Sequence, residues 1–398
     1  MRAIHHAGYD GFRSCERAWR ELTAEAHSLR FFNAYDWYAA FFTHLRPADE
    51  PLGVIELQHG DRCVGLFPYH RQRIRKGGIE LKVLCLPASP HLILADAVLS
   101  DTVEARAAIR AIRRCLAQEG IGWHALLLPN VREDSHAMRL AHTLGGRAIV
   151  RPAGGSRYFD ATRPYAELSG RFAGQLRKNL RKGLKRLEQS GAVEFLCIRS
   201  GDARMPWAFE GFLALEASGW KGEAGTGSAI ALNEGIASFY RDLIRADGKE
   251  LRAEINLLCL KGAPIAGQFA TVCRSHRSIH KIAYDESFEH ASPGTVLMAR
   301  ALEHSCEDEA IESLSLVTDM PWMRDWNASR ATVYEVWLPK SALLCFLARA
   351  AVHSKQVLTA GRHVFSGPSS RGLPDDGSSR AHQDEAHAPH SASSPIPE

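Results

Sequence analysis

No apolar run in this chain approaches the roughly 18 residues that a membrane-spanning helix needs. Ala342 to Val352 is apolar but short, and fits a packed helix. The opening residues, MRAIHHAGYDGF, carry no apolar core of a signal peptide, so a cytoplasmic protein is expected. The nine cysteines include no Cys-x-x-Cys pair and no metal-ligand spacing, so reduced, buried thiols are expected. His280, His290 and His304 are irregularly spaced, and no metal is expected. There is no Gly-x-Ser-x-Gly elbow, P-loop or Rossmann fingerprint. Excess charge is scarce too. The 49 Lys and Arg exceed the 45 Asp and Glu by only four, which does not by itself imply a nucleic-acid partner, and no DNA is expected.

At 398 residues, with 45% hydrophobic and 24% charged content, the chain is globular and long enough for two domains. In residues 10–150 the spacing predicts a helix over 12–30, with Phe12, Trp19, Leu22 and Leu29 on one face, and a second over Tyr35 to Leu45. Strands are expected at Leu52 to Leu57, Cys63 to Arg73 and Leu81 to Leu86, turned by His59-Gly60-Asp61 and Gly77-Gly78. A helix from Thr102 to Gln118, a strand from Trp123 to Leu128 and a helix around His136 to Leu144 follow. Residues 147–168 read as a crossing strand and linker.

Residues 165–340 repeat that order. A helix is expected from Ser169 to Gln189, with Phe172, Leu176, Leu180, Leu184 and Leu187 as its apolar stripe. Arg171, Arg177, Lys178, Arg181, Lys182, Lys185 and Arg186 fill the rest, against one acid, Glu188. So one-sided a run is either a solvated face or a rail for an anion. Helices are expected at Pro206 to Ala217 and Ile236 to Ala246. Strands are expected at Leu251 to Lys261, Ala263 to Cys273, Ser278 to Tyr284, Glu312 to Val317 and Ala331 to Leu338, with a loop from Asp319 to Asn327. A C-terminal helix is expected over 341–366. Residues 367–398, rich in Ser, Pro, Gly, His and charge, are expected to be disordered.

The chain is organised around residues 279–305, IHKIAYDESFEHASPGTVLMARALEHS. A β-prone run ending at Tyr284 gives way to a polar loop, then to a helix opening on Ser292, Pro293 and Gly294. Ser suits an N-cap and Pro the first helical position. Free N–H groups at such a helix start attract anions, by about 0.3–1 kcal/mol per exposed charge. Ser-Pro-Gly is equally an ordinary capped helix start.

Three blocks in this order, RKNLRKGLKRLE, LEASGWKG and AYDE-to-SPGTVL, resemble the GNAT-superfamily acetyltransferase domain of BioF2-like and cellulose-biosynthesis-associated acetyltransferases, relatives of the Fem peptidyltransferases. The resemblance runs over roughly residues 10–340. It implies an α/β protein of tandem GNAT-like (acyl-CoA N-acyltransferase) folds, with mixed sheets flanked by helices. Residues 10–150 would be a degenerate copy, since Leu86 to Asp96 offers no glycine, and residues 165–340 the catalytic one. It also implies acetyl-CoA or another acyl-CoA as co-substrate, its pyrophosphate on Ser292, Pro293, Gly294, Thr295 and Val296. The family's usual loop has more glycine; this one has only Gly294.

Acyl transfer from a thioester to an amine needs proximity, a base, N–H donors for the oxyanion and a proton for the departing thiolate. By resemblance the thioester lies beside Lys281 to Glu286. Asp285 is the base or a cap of the loop. Lys281 lies at the acceptor, like the strand lysine of Fem enzymes, or points outward. Tyr284 protonates the thiolate or packs. Glu216 orients the amine or sits on a helix surface. Trp220 stacks on a sugar or adenine or joins the core, and Lys221 pairs with a phosphate. Arg177, Lys178, Arg181 and Lys182 would bind an anionic acceptor or donor phosphate. The expected reaction is acetyl transfer to an amine of a sugar or envelope-polysaccharide precursor. Two rivals stand. One is Fem-like aminoacyl transfer from charged tRNA, with the basic helix as a phosphate rail. The other is a non-catalytic scaffold that binds an anionic glycan or nucleotide.

Overall fold

A computed structural model describes residues 1–25, 29–47, 49–76, 79–219, 221–246 and 250–345. The first half opens with strand β1 (Arg2–Ala7) and helices α1 (Gly8–Ser14), α2 (Glu16–Glu25) and α3 (Tyr35–His44). Strands β2 (Leu52–His59), β3 (Arg62–Lys76) and β4 (Ile79–Cys85) form a meander, and β5 (Val98–Leu99) adds a short rung to β3. Helix α4 (Ala105–Gln118), strand β6 (Ala125–Arg132) and helix α5 (His136–His142) follow, then the long strand β7 (Ile149–Asp160). The second half begins with α6 (Tyr165–Gly170), α7 (Gly174–Ser190), β8 (Val193–Arg199), α8 (Met205–Ser218) and α9 (Glu234–Arg245). It continues with β9 (Leu251–Leu260), β10 (Ala263–Cys273), β11 (His276–Tyr284), α10 (Pro293–Glu307), β12 (Ser313–Ser315) and β13 (Ser329–Pro339).

Among the described residues all 13 strands join one sheet, ordered β1-β2-β3-β4-β6-β13-β7-β12-β11-β10-β9-β8, with β5 to the side. Each half runs an antiparallel four-strand meander into a parallel neighbour: β4 pairs with β6, and β11 with β12. The last strand of each half is exchanged. β13 leaves the second half to pair with β6 of the first, while β7 leaves the first to pair with β12 of the second. The two exchanged strands then pair with one another, from Ile149 opposite Trp337 to Tyr158 opposite Ser329. The exchange leaves no open edge between the halves. This is a mixed α/β fold of two units that repeat one element order and share a sheet.

The apolar core ties the units together as well. Phe12, Trp19, Trp37 and Tyr38 belong to the same buried cluster as Phe209, Phe212, Phe239 and Tyr240. The Trp37 and Phe239 rings meet edge to face at 5.3 Å, worth roughly 0.5–1.5 kcal/mol beyond their burial.

Several local expectations shift. The helix over 12–30 is two short helices, with Cys15 ending the first. β1 and β8 were not foreseen, because both are short and mostly half-buried, with no clean alternation. The loop from Asp319 to Asn327 contains a 3-10 turn at Pro321–Trp326, with Met323 and Trp326 buried. Of the expected helix over 341–366, residues 342–345 are helical. Its remainder and the tail lie outside the described residues.

Candidate active site

The site is built where β11 outruns its neighbour. The parallel ladder to β12 has three rungs, His276 to Ser313, Arg277 to Leu314 and Ser278 to Ser315. β11 continues to Tyr284 with β10 on its other side, so from 279 onward no strand among the described residues borders it on the β12 side. Backbone groups along such an open edge suit an extended, amide-like ligand. The β10–β11 register shifts between Phe269 and Ala270, opposite Lys281 and Ile279, so His280 is the extra residue of a bulge.

His280 itself belongs to the core. Its Nε2 lies 2.7 Å from Thr271 Oγ1, and the Phe31 and Trp37 rings lie within 5 Å of its own. Burial pushes its pKa down to about 3, so it stays neutral. Lys281 is half-buried opposite Phe269. Tyr284 lays its ring against Gly294, where a Cβ would sit 3.2 Å from Tyr284 Cδ1. Burial, and then Glu289 and Glu286, raise its phenol above the usual range. Asp285 accepts the Ser287 N–H at 2.9 Å and thereby caps the following turn. Of its two expected roles the capping one is seen directly.

Glu216 is not a surface residue. It is 3% exposed, accepts the Ile230 N–H at 2.9 Å and lies 3.4 Å from Lys221 Nζ. Beside it stands an unforeseen residue, His91, from the loop between β4 and β5. His91 Nδ1 lies 3.1 Å from the buried Tyr240 hydroxyl. Burial first, then the charges of Lys281 and Lys221, lower His91 to about 3. Burial, then Glu216, holds the Tyr240 phenol well above its usual value. Glu216, Lys221, Tyr240, His91 and Lys281 therefore share one neighbourhood, to which both halves contribute. Trp220 lies outside the described residues.

The turn after β11 leads into α10. Ser292 has a left-handed backbone (φ 50°, ψ 55°), and Pro293 occupies the first turn as expected. The Ser292 side chain makes no capping bond; its carbonyl instead accepts the Thr295 and Val296 N–H groups at 3.0 and 3.1 Å. Pro293 and Val296 are buried, so Ser292, Gly294 and Thr295 are the half-exposed members of this turn.

Helix α7 packs straight onto the same turn. A Cβ on Gly183 would lie 2.3 Å from the Ala291 carbonyl oxygen, so no side chain fits there. Arg186 donates to the His290 carbonyl. Lys178, Lys182 and Arg186 form one i,i+4 row beside this seam, and Arg177, Arg181 and Lys185 form the next. All six cations are exposed, and no acid among the described residues pairs with them.

His280, His290 and His304 do not converge. The grouping of metal-ligating side chains among the described residues is His6, Cys15 and Glu56, in the first half, where His6 Nε2 lies 2.8 Å from Glu56 Oε2.

Residues 174–324 match a family model described as an acetyltransferase (GNAT) domain. Among curated proteins, none matches the sequence. Among solved structures, FemX is similar over 85% of this chain and 97% of its own, at 11% identity and a TM-score of 0.56. The C-terminal domain (DUF2156) of a candidate lysylphosphatidylglycerol synthetase from Agrobacterium fabrum is similar over 87% of this chain and 96% of its own, at 12% identity and a TM-score of 0.51.

Proposed function

We propose, from the premise that this chain belongs to the GNAT superfamily, that it transfers an acetyl group from acetyl-CoA to an amine on a sugar or envelope-polysaccharide precursor. Residues 165–340 are then the catalytic half and residues 10–150 a degenerate copy that lends His91 to the acceptor side. The observation that carries this reading is the open edge of β11 running into the N-terminus of α10. A thioester in that gap can accept backbone N–H bonds on its carbonyl, while the coenzyme's pyrophosphate meets the positive end of the α10 dipole at Gly294.

In this reading the acceptor ammonium loses a proton, to Asp285 directly or through water. The amine nitrogen then bonds to the thioester carbonyl carbon. The tetrahedral intermediate collapses by breaking the carbon–sulfur bond; the thiolate takes a proton from Tyr284, the second proton lost by the nitrogen restores the phenol, and the proton held by Asp285 leaves to water. The raised pKa of Tyr284 keeps its phenol protonated and able to donate. Lys281, Glu216 and Lys221 border the acceptor.

Calorimetry with acetyl-CoA tests the reading, using wild type and Thr295→Asp. An acid in the first turn of a helix favours the helix dipole, so the variant should fold. It should also repel the pyrophosphate and weaken binding at least tenfold, about 1.4 kcal/mol. Equal affinities would remove Ser292 to Val296 as the donor site. The Fem-like reading, with charged tRNA as donor, draws support from the unpaired rows of α7. Binding of charged tRNA without binding of acetyl-CoA would favour it.

A further inference from the structure

A cavity of about 550 Å³ lies away from the β11 gap, against the starts of β11, β12 and β13 and the ends of β6 and β7. Its lining includes Arg30, Arg132 and His276. His276 is five residues before Lys281, about 17 Å along the strand at roughly 3.3 Å per residue. The volume falls within the roughly 300–1,000 Å³ typical of small-molecule sites.

The charges around Arg30 and Arg132 do not balance. Arg132 is 4% exposed and makes a fork-to-fork pair with Asp134, both contacts at 2.9 Å. Arg30 approaches the same carboxylate only at 3.9 Å. Two guanidiniums thus share one acid, which is itself half-exposed. Arg30 Nη1 is buried without a hydrogen-bond partner. Leaving such a donor unmet is costly unless a ligand accepts from it. The other lining acids are engaged elsewhere. Asp160 binds Arg163 at 3.1 Å and Thr162, and Glu312 accepts from Ser275 at 2.9 Å. His276 cannot supply the missing negative charge, and burial followed by Arg30 and Arg132 keeps it neutral.

We propose that this cavity is an oxyanion site for the phosphate of a small phosphorylated ligand, distinct from the coenzyme A turn. Arg30 and Arg132 present planar donor forks, which match phosphate oxygens two at a time. Neutral His276 and Ser313, 2.8 Å apart, line the wall without repelling an anion. The Arg132 guanidinium stacks 5.5 Å over the Tyr158 ring, which holds the fork in place before any ligand arrives. The volume exceeds that of a bare phosphate, so the ligand carries a further polar group such as a sugar.

The experiment is calorimetry with inorganic phosphate and with glucose 1-phosphate, each titrated into protein already saturated with coenzyme A. Saturation removes the α10 turn from competition. Should coenzyme A fail to bind, the Arg30 variant still isolates this site, so the two readings fail separately. Arg30→Met keeps the aliphatic stem and should weaken both ligands about tenfold by removing one charged fork. Asp134→Asn removes the competing acid and should tighten both about threefold. Opposite shifts in the two variants cannot come from general misfolding. Glucose 1-phosphate binding better than phosphate supports the phosphorylated ligand; equal affinities overturn it and leave a site for the free anion alone. No heat from either ligand, or one affinity shared by all three proteins, overturns the proposal.

Discussion

Glu250 shows how a single carboxyl sets the pH range in which the protein is stable. It accepts the Tyr35 N–H at 3.0 Å and lies 3.3 Å from Arg20, yet burial outweighs both and raises its pKa from 4.5 to about 7. The folded protein therefore holds a proton that the unfolded chain releases between those values. The resulting stability is fully present below about pH 4.5 and is lost as pH rises through about 7, by on the order of 3 kcal/mol. Glu250→Gln should flatten that slope, read from urea melts at pH 5, 6 and 7.5. A variant with the wild-type slope would assign the effect elsewhere. At this scale the sequence tells residue type but not company. Glu216 reads as one position on an amphipathic helix, and only folding buries it against Ile230 and Lys221. His91 was out of reach altogether, since its partner Tyr240 lies 149 residues along the chain.

The seam between α7 and the turn before α10 yields predictions of definite sign. Helix propensity alone says Gly183→Ala should stabilise α7 by about 1 kcal/mol. The 2.3 Å approach to the Ala291 oxygen says the reverse, because backbone on both sides must move apart. We expect a lower melting temperature and weaker acetyl-CoA binding; a higher melting temperature would show that the seam yields freely. The exposed rows of the same helix are tested by replacing Arg177, Lys178, Arg181 and Lys182 with Ala. If they hold an anion, the Michaelis constant should rise and its salt dependence flatten, since exposed charges are screened beyond about 8 Å at physiological ionic strength. Parallel salt curves would leave α7 a solvated face, with stability unchanged or improved by relief of i,i+4 repulsion of about 0.2–0.5 kcal/mol per pair. Elements with a long periodic stripe, such as α4, α7 and α9, were legible because burial imposes the 3.6-residue period. Gly183 carried no such mark. A glycine inside a basic helix reads as a weak point until the chain it touches is known.

For the molecule as a whole, the repeated element order was readable, and so was the likeness of residues 174–324 to an acetyltransferase (GNAT) domain. The strand exchange was not, because a strand's own pattern says which face is buried and nothing about which strand it pairs with. A chain ending at Ala328 should lose both halves together, although β13 belongs by sequence to only the second. Without β13, β6 and β7 each expose an edge, and such edges invite intermolecular pairing. Size-exclusion chromatography should find aggregate. A monodisperse truncated protein that binds acetyl-CoA would show that β13 is dispensable.

The same exchange puts a delay into biosynthesis. β6 ends at Arg132 and its partner β13 begins at Ser329, so about two hundred residues must be translated between them. At about 5–20 residues per second the wait is roughly 10–40 s. Through that interval the first half stands outside the ribosome with its meander formed and its last rung absent. A nascent-chain chaperone, or a slow stretch of translation placed to let the second half fold first, would act on that exposed edge before any ligand does.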